Sequence, residues 1–122
     1  MIYPIHLYGH PILSLVAQDY PDFPDTKEEI IKVQIPDMFE TMYNAGGAGL
    51  ARPQVGYSFR LIVIDVEISD GVKFKQAFIN PHILSTFGDN YIMTEGCLSL
   101  PGIEAKVIRP EKVDLEWLDE NF

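Results

Sequence analysis

Apolar residues change their period partway along the chain. Ile31, Ile35, Met38 and Met42 fall at i, i+4, i+7 and i+11, the spacing of one helix face. Thr26 and Glu29 form a T-x-x-E capping box ahead of that face, and Glu28 and Glu29 complement the positive end of the helix dipole, so a helix is predicted to start at Thr26. Pro36 lies inside it, lacks a backbone donor and crowds the preceding turn, which predicts a kink or break near Ile35. Asn44, Gly46 and Gly47 are expected to end the helix. After Arg60 the pattern turns to strands. Leu61–Val66 is a short β-branched run, and Gln76–Leu84, Asn90–Thr94, Ala105–Ile108 and Lys112–Leu118 are further candidates, with a turn expected at Gly88-Asp89. Before the helix, Pro4, Pro11, Pro21 and Pro24 predict an extended arm with turns. These elements imply an α+β fold, antiparallel strands packed around one long helix.

Composition narrows the class. At 122 residues and 47% hydrophobic, the chain suits a single folded domain over residues 1–122 with a modest core. A net charge of −9 argues against a nucleic-acid site or an anionic membrane as partner. No apolar run reaches the length of a membrane span, and Met1-Ile2-Tyr3-Pro4 does not open a secretory signal. A lone cysteine, Cys97, forms no internal disulfide and fits a cytoplasmic location.

Two segments carry candidate chemistry. Gly47-Ala48-Gly49-Leu50-Ala51-Arg52-Pro53-Gln54 follows a helix and lacks the pattern of a dinucleotide or P-loop site. It reads better as a strand edge whose glycines leave room for a peptide to pair alongside. Gln54 could donate its amide N–H to a developing oxyanion; its ordinary reading is a turn glutamine bonded to backbone. The second segment is Glu95-Gly96-Cys97-Leu98-Ser99. A thiolate there suits zinc or ferrous iron, although a lone cysteine is more often a small buried hydrophobe. Nucleophilic use would need a nearby histidine or cation, and none is close in sequence. His6 and His10 have helical spacing, but Pro4, Gly9 and Pro11 argue against a helix and so against a metal pair; His82 reads as a strand or turn residue.

Together the two segments resemble the peptide deformylase family. Its glycine motif, G-φ-G-φ-A-A-x-Q with φ apolar, matches Gly47, Ala48, Gly49, Leu50, Ala51 and Gln54, and its E-G-C-L-S motif matches Glu95 to Ser99 without change. Tyr8-Gly9-x-Pro11, Arg60, Ile79-Asn80-Pro81 and Arg109-Pro110 add support. The resemblance implies a metal-dependent hydrolase that removes the N-formyl group from the initiator methionine of nascent peptides, near the ribosome. Cys97 would be a ligand of Fe2+ (or Zn2+ or Ni2+), and Gln54 with the Leu98 backbone N–H would hold the oxyanion. Gly47, Gly49, Leu50, Glu95 and Gly96 would contact substrate, with Glu95 held by an arginine such as Arg109.

Two departures qualify that expectation. Arg52 stands where the family has a small alanine, so its side chain is expected either in solvent or crowding the pocket. No H-E-x-x-H occurs in the 122 residues, although the family carries this motif on a helix that completes the metal site. The expectation is a domain incomplete at its C-terminus, without that second helix, inactive alone and able to dimerise through the face it would cover. The alternative is a metal-free relative that binds peptide termini without hydrolysis.

Overall fold

The computed structural model describes all residues from 1 to 122. The helical segment runs unbroken as α1 (Lys27–Glu29), a π-helical turn (Ile30–Gln34) and α2 (Ile35–Asn44). Its start is as expected: Glu29 N–H donates to Thr26 Oγ1 at 3.2 Å, and Thr26 N–H donates to the Glu29 carboxylate at 2.8 Å. At Pro36 the kink or break expected near Ile35 is replaced by the π turn, in which Ile35 N–H bonds to the carbonyl of Ile30, five residues back. That extra residue shifts the buried stripe. Ile30, fully buried, takes the core position that helical spacing assigned to Ile31, while Ile35, Met38 and Met42 are buried as expected. At the far end Gly46 N–H donates to the Tyr43 carbonyl and Gly47 N–H to the Met42 carbonyl, the paired bonds that close a helix C-terminus.

Four antiparallel strands follow in the order β1-β2-β3-β4: β1 (Gly49–Ala51), β2 (Leu61–Ser69), β3 (Val72–Cys97) and β4 (Leu100–Leu118). The fold is α+β. Helix α2, β1, β2 and the start of β3 enclose the core, where Met38, Met42, Leu50, Leu61, Val63, Ala77 and Ile79 pack together. The predicted turn at Gly88-Asp89 is not a turn. It is a register shift between Phe87 and Asn90 inside β3, with Gly88 at φ +83° lying against Glu111. The segments predicted at 76–84 and 90–94 therefore fuse into one strand, as do those at 105–108 and 112–118. Pairing with β2 ends at Ile79, so the rest of β3 pairs only with β4 as a two-stranded ribbon. Pro81 and Pro110 are tolerated because each sits where one side of its strand is open.

The N-terminal arm is extended, with a short 3-10 turn at Pro11–Ser14. It is pinned more firmly than a proline-rich stretch suggests. Asp19 receives His82 Nε2 at 2.8 Å and Arg60 Nε at 3.3 Å, while the Asn80 side chain exchanges two hydrogen bonds with the backbone of Tyr20. The His82–carboxylate pair is a feature the histidine spacing did not disclose.

Candidate active site

The cleft is built where the glycine-rich edge meets the tip of the β3–β4 ribbon. Its volume is about 910 Å³, and Gly47, Gly49, Gln54, Gly96, Cys97 and Leu98 line it. Strand β1 is the outer strand of the sheet, so one side of it is open. Asp65 N–H donates to the Ala48 carbonyl at 3.0 Å, and pairing alternates in antiparallel strands; Gly49 therefore turns its N–H and C=O away from β2, toward the open edge. The same alternation sends the Leu50 side chain inward, where it is buried in the core. Its N–H and C=O point to Val63 by the same alternation, so Leu50 supports the edge from the core and does not line the cleft.

Gln54 closes this edge. Its Oε1 accepts from Ala51 N–H at 2.9 Å, and its Nε2 donates to Ser99 Oγ at 3.1 Å and lies 3.8 Å from Cys97 Sγ. The backbone bond expected of a turn glutamine and the placement expected of an oxyanion donor thus occur together: the carbonyl end is anchored and the amide end faces the cleft. The backbone N–H of Leu98 has no acceptor in the protein and stands beside the exposed Cys97. Residues of the N-terminal arm brace both loops from behind, His6 N–H donating to the Gln54 carbonyl at 2.7 Å and Tyr8 N–H to the Ser99 carbonyl at 2.8 Å.

Gly47 lies in close contact with Leu98. A Cβ at this position would lie 2.6 Å from Leu98 Cδ1, so any side chain would push Leu98 out of place. Glu95 does not line the cleft. It binds Arg109 through two short bonds, 2.8 Å to Nε and 2.6 Å to Nη2, and these hold its carboxyl below the usual carboxylate range. The pairing expected between Glu95 and Arg109 is present, and its effect is to fasten β4 to the strand that carries Cys97.

Arg52 adopts neither expected position. It is 3% exposed and does not line the cleft; its guanidinium stacks on Tyr57 at 4.1 Å and on Tyr3 at 4.9 Å from the ring centroids. Nε and Nη1 have no hydrogen-bond partner. The cation thus lies between arm and loop, leaving the pocket clear.

Sequence reasoning did not single out Ser99, which is 5% exposed and ties Gln54 to the Cys97 loop. Its signal was its place as the last residue of E-G-C-L-S. His6 and His10 stack at 4.1 Å, outside any helix. No three His, Cys, Asp or Glu side chains gather to hold a metal ion. Cys97 is one donor beside a carboxamide and a hydroxyl, which does not fit a metal ion by itself. The cleft's own chemistry is that of its hydrogen-bond donors.

An open strand edge, the Gln54 amide and the Cys97 thiol thus meet at one cleft. Comparison with known proteins agrees: the family model for polypeptide deformylase matches residues 2–122. The peptide deformylase of Cytophaga hutchinsonii is 43% identical over all of this chain and 66% of its own length; for that of Chlorobaculum tepidum the values are 44%, 100% and 64%. The crystal structure of peptide deformylase from Thermus thermophilus superimposes with a TM-score of 0.84 at 42% identity, covering 99% of this chain and 68% of that one. The chain belongs to the polypeptide deformylase family. It spans 63–66% of the length of the curated relatives it matches.

Proposed function

We propose that this cleft recognises the N-formyl-methionyl end of nascent polypeptides and that its chemistry is removal of the formyl group. The observation that carries this reading is Gln54, anchored at Oε1 and offering Nε2 to the cleft 3.8 Å from Cys97 Sγ. A peptide extended along the open edge would pair with Gly49, and its formyl oxygen would receive the N–H groups of Gln54 and Leu98 as negative charge develops there. Gly47 and Gly96 keep the walls low enough for the chain to enter. The metal the resemblance gives Cys97 is Fe2+, with Zn2+ or Ni2+ as substitutes; no three His, Cys, Asp or Glu side chains gather here to hold one, so these 122 residues should bind without turnover. The setting proposed is the cytoplasm, close to the ribosome. No helix is long and apolar enough to cross a membrane.

The test is a titration of the 122-residue chain with N-formyl-Met-Ala-Ser and with the same peptide bearing a free amine. Recognition of the formyl oxygen predicts about fivefold tighter binding of the formylated peptide, with Gln54→Leu erasing the preference. Equal affinities would sink the reading. Formate release by the unsupplemented chain would overturn the expectation of binding without turnover. Binding without turnover is also the signature of a metal-free relative, favoured by the solitary thiol; restored turnover on adding a helix that carries H-E-x-x-H would exclude it.

The ribbon is also the proposed place of self-association. Ile83, Leu84, Ile92, Met93 and Ile108 are exposed on it. Sedimentation should show a concentration-dependent dimer; a clean monomer with a cooperative melt would count against it.

A further inference from the structure

The cleft wall has one charged side chain. Apart from the residues already placed, the lining is completed by helix-end residues and by Leu100, Pro101, Gly102, Ile103 and Glu104 at the ribbon tip; Glu104 alone brings a carboxylate side chain. Its side chain is exposed and makes no hydrogen bond or ion pair. The cations near it in the chain do not neutralise it. Arg109 is committed to Glu95, and Lys106, two positions along on the same face of β4, lies beyond ion-pair distance.

Its position relative to the reacting end follows from strand register. Glu104 is the Cα partner of Gly96, the residue before Cys97, and adjacent strands lie about 4.8 Å apart. Glu104 lines the same cleft as Gln54 and Cys97. An extended peptide advances roughly 3.3 Å per residue, so a formylated first residue seated against Gln54 and Cys97 brings the second or third side chain alongside Glu104.

We propose that Glu104 is a specificity residue that favours nascent chains with Lys or Arg at the second or third position. This rests on the reading of the cleft as an N-formyl-peptide site. A cation there would meet an unpaired carboxylate, whereas an acidic residue would meet like charge. The net charge of −9 attracts cationic peptides in general, so a local effect must be separated from that field.

The measurement is the dissociation constant of the 122-residue chain for N-formyl-Met-Lys-Lys-Ser and N-formyl-Met-Glu-Glu-Ser. At about 20 mM salt the lysine peptide should bind roughly fivefold tighter, and the ratio should shrink toward one at about 500 mM. Glu104→Gln should reduce the ratio below about twofold, and Glu104→Lys should reverse it. A ratio near one in the parent chain overturns the proposal. So does a preference that survives Glu104→Gln, which would assign it to the general field. Failure of both peptides to bind would overturn the underlying cleft reading as well. Tight, equal binding would remove only the role of Glu104. Should Glu104→Gln fail to fold, Glu104→Lys decides, because a general field left at −7 would keep the lysine peptide favoured whereas a local contact would reverse the order.

Discussion

The two halves of the molecule are held by different means. From Phe23 to Ile79 the chain supplies every buried hydrophobic residue, whereas beyond Ile79 only Ser99 is buried. The first half is a helix on a sheet with an enclosed core; the second is a ribbon secured by β pairing and by surface contacts such as Glu95–Arg109. A two-stranded ribbon alone is marginal in water. The site lies at the junction. The core half presents Gln54, the ribbon tip presents Cys97, and the Gln54–Ser99 bond joins them. Precision at the cleft therefore depends on a few polar ties at the edge of the well-packed region.

The contrast is most open to attack in the core. Met38→Ala or Met42→Ala removes a fully buried side chain and should cost about 2–5 kcal/mol in denaturant unfolding. Ile92→Ala, at a residue 67% exposed in the single chain, should stay within about 0.5 kcal/mol at concentrations below those that dimerise it. Comparable losses at the two places would mean that the ribbon is packed against something in solution. At the junction, Gly47→Ala must displace Leu98, for an expected cost of about 1–3 kcal/mol and weakened binding of N-formyl-Met-Ala-Ser.

Ser99→Ala should cost about 1 kcal/mol for one hydrogen bond. Its diagnostic effect is on Gln54: the side-chain amide signals should move to free-glutamine positions and lose exchange protection, with Ser99→Thr keeping them. Unchanged signals in Ser99→Ala would show that the anchor at Ala51 suffices. The smallest effect belongs to the surface pair. The Glu95 carboxyl is held low by Arg109, so its contribution is present above the ordinary carboxylate pKa and fades as pH falls through the lowered folded value. Protection factors in β4, referred to the intrinsic exchange rate at each pH, should accordingly fall on acidification below about pH 4.3, and Arg109→Ala should flatten that change. A profile identical in the two proteins would leave the pair without a role in holding the ribbon.

Local signals were legible and long-range ones were not. The Thr26–Glu29 cap was readable because its partners are three residues apart and their chemistry is reciprocal. The exchange of Ile31 for Ile30 was not, because a proline can be met by a kink or by a π turn, and packing on the sheet selects between them. Gly88-Asp89 presents the same ambiguity, since glycine with positive φ serves a turn and a bulge alike. The Asp19–His82 pair joins residues 63 positions apart and left no pattern to read.

The sequence by itself determined the class of elements, the capped helix, the two motif segments and their resemblance to deformylases. Each of these depends on neighbours within a few residues or on an uninterrupted motif. Only the tertiary structure decided that Arg52 is sealed between Tyr3 and Tyr57, that Leu50 faces the core, that Ser99 anchors Gln54 and that Glu104 stands in the cleft. Those outcomes depend on which distant segment arrives beside a residue. Strand register and core packing set that arrival, and a one-dimensional pattern carries neither.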